Sequence, residues 1–215
     1  MGAKMAAFCL ILVSINFGCG NLSQTLGGGA AMAPSNGNLQ MTAQFSVMTD
    51  RLEIDYSVHN SSHTNVYLLD TAVLINSQGA TTVGPAKPRV EYVQPNLAVL
   101  SDKLFPLPPG TMTAVPPSAY GELLAAGAIK RTRAEFPIPI REQSAVKAGP
   151  TQEVSCDHIR FVIGAVSEAP ELHATPQMIA GAPLWRLGPA AWNLQQELTV
   201  DAVVTPALRL LVRRS

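Results

Sequence analysis

Between Leu39 and His59 the chain alternates apolar and polar residues through two consecutive runs, and this leaves little choice of fold. Leu39, Met41, Ala43, Phe45 and Val47 occupy every second position. Leu52, Ile54, Tyr56 and Val58 then alternate with Arg51, Glu53, Asp55, Ser57 and His59. Successive strand side chains point to opposite faces, so a period of two puts one set on a buried sheet face and the other in water. The runs meet at Thr49-Asp50, which predicts an antiparallel hairpin. Phe45, Ile54, Tyr56 and Val58 are expected to face inward, and Arg51, Glu53 and Asp55 outward.

The same reading extends along the body. Asn60-Ser61-Ser62 is a turn cluster, Val66 to Ile75 a more continuously apolar strand, and Asn76 to Gly79 a second turn. A further strand is expected around Leu97 to Leu104, before a stretch with five prolines between Pro106 and Pro117. Ser118 to Gly127 has two readings. It is a short helix capped by Ser118 and stopped by Gly127, or it holds a turn at Ala126-Gly127 feeding a strand from Ile129 to Ile140. Ile159 to Val166 reads as a strand with Phe161 and Ile163 inward, and Ala174 to Leu194 as loop-rich. Leu198, Val200, Ala202 and Val204 alternate again, and Leu208, Leu210 and Val212 follow.

With 47% hydrophobic residues and 14% charged, the chain has enough apolar surface for a core. Many short strands, frequent turn signals and no long amphipathic helix predict a mainly β protein. The architecture expected is an antiparallel β-sandwich with long loops and at most short helices, one elaborated domain over residues 39–215. The pattern from Leu52 through Asn60 to Leu69 resembles the early strands of immunoglobulin-like domains on bacterial envelope proteins, without the Cys-Trp-Cys core of antibody domains. The resemblance implies an immunoglobulin-like sandwich and no particular activity.

The beginning of the chain reads as an address. One positive charge at Lys4 precedes the apolar run Met5 to Val13, and Gly18-Cys19-Gly20 follows. The run falls short of the roughly 20 residues that span a bilayer core. The segment resembles a bacterial lipoprotein signal, which implies a signal peptide over 1–18 and a lipid on Cys19. The third position before the cysteine, usually Leu in such signals, is Asn16 here. The other reading is plain secretion with cleavage before Asn21. Residues 19–38, rich in Gly, Ala, Ser and Asn and including Gly27-Gly28-Gly29, are expected to form a flexible tether. Of three cysteines, Cys9 and Cys19 lie in the leader, leaving Cys156 without an internal disulfide partner and expected to be a buried hydrophobe.

Fifteen basic residues balance fifteen acidic ones, so no nucleic-acid footprint is present. No nucleophile-elbow, phosphate-cradling or zinc-protease sequence occurs, and no cofactor is expected. His59 and His63 flank a turn and are weak metal candidates, with Asp55, Asp70 and His158 as further ligands if strands bring them together. Two features suit binding. Pro108 and Pro109 lie in an extended proline-rich stretch of the kind that partner grooves recognise. Trp185 and Trp192, near Arg186, would form an aromatic platform or else cover one end of the core. Arg209, Arg213 and Arg214 offer an anionic-surface contact, or a solvated strand end.

The expectation is an exported envelope protein, held at a membrane by lipid on Cys19. In a cell with two membranes it is an outer-membrane lipoprotein facing the periplasm, because Gly20 and Asn21 lack the aspartate that retains similar lipoproteins at the inner membrane; otherwise it is secreted or surface-anchored. It would act as a non-enzymatic binding or scaffold component with another envelope protein as partner. The alternatives are a small-ligand or carbohydrate-binding module and a metal-dependent enzyme.

Overall fold

A computed structural model describes residues 26–32, 38–75, 77–85, 88–93, 95–106, 119–143 and 150–213. The alternating runs form the hairpin expected of them. β2 (Leu39–Val47) and β3 (Arg51–Asn60) pair antiparallel, with Phe45 opposite Ile54, Ala43 opposite Tyr56 and Met41 opposite Val58. All six of those residues are buried, and the Met48 amide closes the turn on the Arg51 carbonyl at 2.7 Å. β1 (Leu26–Met32) pairs along the other edge of β2, inside the stretch read as a tether, with a register shift between Leu26 and Gly29. Strand pairing needs only backbone groups, so a Gly- and Ala-rich segment can supply it.

Asn60 ends β3 in a turn, and the chain crosses to the opposite layer. Val66 to Ile75 is not one strand. It divides into β4 (Val66–Leu68) and β5 (Thr71–Ile75), broken at Leu69-Asp70, and β5 pairs with β6 (Thr81–Pro85) as a separate hairpin. β7 (Arg89–Val93) and β8 (Leu97–Asp102) follow as an antiparallel pair. The helical alternative for Ser118–Gly127 is overturned, because β9 (Ala119–Leu124) and β10 (Ile129–Pro137) are both strands. They are joined where the Ala128 amide bonds the Ala125 carbonyl and Gly127 takes φ +74°, a conformation that favours glycine.

After the short β11 (Ile140–Arg141) come the two longest strands. β12 (Thr151–Ser167) begins eight residues before Ile159, and β15 (Gln195–Arg213) joins the two C-terminal apolar runs into one strand. Between them the segment expected to be loop-rich contains a hairpin, β13 (Thr175–Ile179) and β14 (Ala182–Leu187), and the one-turn helix α1 (Ala191–Leu194). Prolines at 176 and 183 and the lack of apolar alternation hide that hairpin from a periodicity argument.

Among the described residues the protein is a mainly β sandwich. One sheet runs β1-β2-β3-β10, and the facing sheet runs β11-β15-β12-β4-β9-β14-β13, with β7-β8 alongside β12. Pairing is antiparallel except for β8 against β12 and β11 against β15, which are parallel. The main core lies between the sheets, where Phe45, Ile54 and Tyr56 meet Leu100, Phe161, Ile163 and Val200. Tyr56 stands edge-on to Phe161, with ring centroids 5.0 Å apart. A second cluster, including Tyr67, Leu69, Val166, Leu172 and Leu187, covers the outer face of the large sheet. β12 therefore reads as buried at every residue from Phe161 to Val166, because both its faces are covered.

One solvent assignment needs correction. Asp55 is exposed and Arg51 half-buried, but Glu53 is only 8% exposed. Its carboxylate accepts from Arg51 Nε at 2.6 Å and lies 3.4 Å from Arg133 Nη1 across the strand pair. The arginine stems cover it, an effect of cross-strand neighbours to which the period is blind.

Ile54 is fully buried, so Ile54→Ala is expected to cost about 2–5 kcal/mol in urea unfolding. A Cβ on Gly164 would come 2.8 Å from Leu69 Cδ1 and 3.0 Å from Lys103 Cβ. Gly164→Ala should therefore destabilise by about 1–3 kcal/mol in the same assay, although it adds only a methyl group.

Candidate functional site

The break at Leu69-Asp70 is where charge enters the core. Asp70 interrupts an otherwise apolar run, and its side chain is 1% exposed. A carboxylate there must be paired and hydrogen-bonded. Tyr56 Oη donates to Asp70 Oδ2 at 2.9 Å, and Lys130 Nζ donates to Asp70 Oδ1 at 2.8 Å. The same Nζ donates to Glu122 Oε2 at 2.8 Å, and Thr71 Oγ1 donates to that oxygen at 3.3 Å. Tyr56 and Lys130 belong to β3 and β10 of one sheet, whereas Asp70 follows β4 of the other.

The electrostatics follow from burial. Burial, then the Asp70 carboxylate, holds the Tyr56 phenol well above its usual range. For Lys130, burial works against the ammonium, but Asp70 and Glu122 outweigh it and the net shift is upward. Asp102, at the end of β8, is pushed up to about 7, first by burial and then by the Asp70 charge.

This cluster holds the root of the β5-β6 hairpin, and that hairpin forms one wall of an open cleft of about 700 Å³. Leu74 and Gly84 come from the hairpin, Pro88 from just before β7, Val90 from β7, Phe136 and Pro137 from β10, and Ile140 from β11. Arg133, Glu135, Arg141 and Gln143 line its polar margin. The Gln143 amide bonds the Val90 carbonyl at 2.9 Å and the Ile138 amide bonds the Asp50 carbonyl at 2.7 Å, fixing the lower walls to both layers. Leu74 is 40% exposed at the mouth. Arg133 is held by a two-pronged pair to Asp55, at 2.7 and 3.0 Å. The volume and lining suit an apolar group flanked by a few polar contacts.

The residues singled out from sequence do not gather here. His59 lies on β3 opposite Gln40 and Ile129, His63 sits in the exposed turn after it, and His158 is on β12 of the other sheet, 3.5 Å from Asp157. Asp55 is paired with Arg133 and Asp70 with Lys130. No group of three or more metal-ligating side chains forms among the described residues. Cys156 is buried beside the register shift of β12, its thiol within hydrogen-bond range of the Asn96 and His158 carbonyls, and burial raises it away from the reactive thiolate.

Trp185 and Trp192 pack against the second core cluster, Trp185 at 5.5 Å from the Tyr67 ring. Both are partly buried there. Trp192 Nε1 donates to the Phe105 carbonyl at 3.1 Å, and the Gln195 amide bonds both backbone groups of Leu104. Phe105 itself lies under Arg89, whose guanidinium carbon is 4.7 Å from the ring centre. The entry to the proline-rich stretch is thus tied to α1 and β15, a link between two candidates that spacing did not show. Pro108 and Pro109, like Cys19 and Arg214, lie outside the described residues. Arg209 is exposed and 3.7 Å from Glu153, and Arg213 ends β15 with its amide on Glu142.

Asp102 generates a pH prediction. Its ordinary value is 3.8, and the folded protein keeps its proton up to about 7. Between those values the native state binds more protons than the unfolded chain, so this group's stabilising contribution is complete below the lower value and is lost as pH rises through the upper one. Wild-type stability should fall between about pH 5 and about pH 8 by an amount that Asp102→Asn removes. Urea midpoints at the two pH values measure it.

No protein-family model, curated protein or solved structure matches this chain.

Proposed function

We propose that this is an exported, lipid-anchored envelope protein whose sandwich, of the immunoglobulin-like kind, binds or scaffolds another envelope protein. The observation that carries the binding reading is the open, largely apolar cleft between the β5-β6 hairpin and the β10-β11 corner. Its walls are contributed by both layers and tied by backbone hydrogen bonds, so a partner would meet a preformed surface with little ordering cost. Leu74 and Pro137 supply exposed apolar contact, and Arg133 and Arg141 set a polar margin. The leader supplies the location: the apolar run ahead of Gly18-Cys19 supports lipid on Cys19 and placement at a membrane.

Two measurements test the parts separately. Cys19→Ala should move the protein from the membrane fraction to the soluble exported fraction with an unchanged urea midpoint; continued membrane association, or a mature N-terminus at Asn21, would overturn the lipid anchor. Leu74→Asp, at a half-open position, should leave the fold intact and reduce partner co-purification at least tenfold, the consequence of about 1.4 kcal/mol lost from the interface. Undiminished capture by that variant would remove the cleft from the binding reading.

A further inference from the structure

We propose that Lys130 and Asp70 are the two halves of an intramolecular isopeptide cross-link, closed by the folded protein itself between the two layers of the sandwich. The geometry meets what amide formation needs. Lys130 Nζ is hydrogen-bonded to Asp70 Oδ1 at 2.8 Å, which holds it beside the carboxyl group it would attack, and it comes from a strand of one sheet while Asp70 stands at the corner leaving the other. The pair is enclosed: the Asp70 side chain is 1% exposed and that of Lys130 16%. Water, which would compete for an activated carboxyl group, is largely excluded.

Each neighbour has a part in the step. The ammonium passes one proton along its 2.8 Å hydrogen bond to Asp70 Oδ1, which gives a neutral amine and a neutral carboxylic acid. The amine lone pair attacks Asp70 Cγ, and the oxyanion that develops on Oδ2 is met by the Tyr56 hydroxyl, already 2.9 Å away. Glu122 Oε2, 2.8 Å from Nζ, takes one proton from the nitrogen and delivers it to the Oδ1 hydroxyl, and the Cγ–Oδ1 bond breaks to release water. An ammonium of three protons and a carboxylate become a secondary amide and one water. No oxidant, reductant or external proton is consumed. Two buried charges disappear, and with them the desolvation cost that a buried ion pair carries. Glu122 is half-exposed at 43% and can exchange protons with solvent, whereas Asp70 is shielded, which assigns the first to proton transfer and the second to acylation.

The full-chain protein tests this by intact mass and by tandem mass spectrometry of its digest. Wild type should be lighter by one water than its sequence requires, with a branched peptide joining Lys130 to Asp70. Lys130→Arg keeps a cation against Asp70 and should show the full mass, as should Asp70→Ala. Glu122→Gln should leave at least a tenfold larger fraction uncross-linked. A full-mass wild type that is folded by circular dichroism overturns the proposal, whatever the variants do. So does a water loss that persists in Lys130→Arg, or a branch that joins Lys130 to Glu122.

Discussion

A carboxylate placed where water cannot reach it constrains everything around it. Asp70 sits between the layers, and leaving it unpaired would cost more than the fold could sustain. Its partners therefore had to be recruited from the opposite sheet, Tyr56 from β3 and Lys130 from β10. A buried ion pair of this kind contributes little net stability, but it specifies register, because a shift of either sheet strands a charge. The β4-β5 corner is fixed by that requirement, the β5-β6 hairpin leaves from the corner, and the cleft takes its outer wall from the hairpin.

Much of the fold was legible in the chain. The alternation from Leu39 to Val58 identified two strands, their hairpin and the buried face, since sheet patterning is a local property. The turn at Ala126-Gly127 was legible as one of two options, and only pairing of Ala119–Leu124 with β4 and β14 removes the helical one. Glu53 escaped because its cover comes from Arg51 and Arg133, which a period cannot see. The hairpin at Thr175–Leu187 escaped because its pairing is carried by backbone groups and the edge of β9, while its side chains follow no apolar rhythm.

The site was less legible than the fold. From the sequence Asp70 is offered only as a further metal ligand, but its partners lie 14 and 60 residues away and are supplied by topology. The signal present in the sequence was the interruption itself. A charged residue between Leu68 and Ala72 asks for a partner, and Lys130 is on the inward-facing rhythm of β10. The tryptophans show the opposite case. Their residue type suggested either a platform or a cover for one end of the core, and both lie partly buried against a second core cluster.

Asn60 illustrates a different kind of consequence, one of chemical ageing. An asparagine followed by a serine is prone to lose its amide when the next backbone nitrogen attacks its side-chain carbonyl. Here the side chain is fully buried, donating to the carbonyls of Thr64, Leu124 and Ala125 and accepting from Ser62. The attacking nitrogen, that of Ser61, is committed to the Asn38 carbonyl at 2.8 Å. Bonds that shape the turn between the sheets also withhold both reactants, so the lifetime of this amide is set by the rate at which the turn opens.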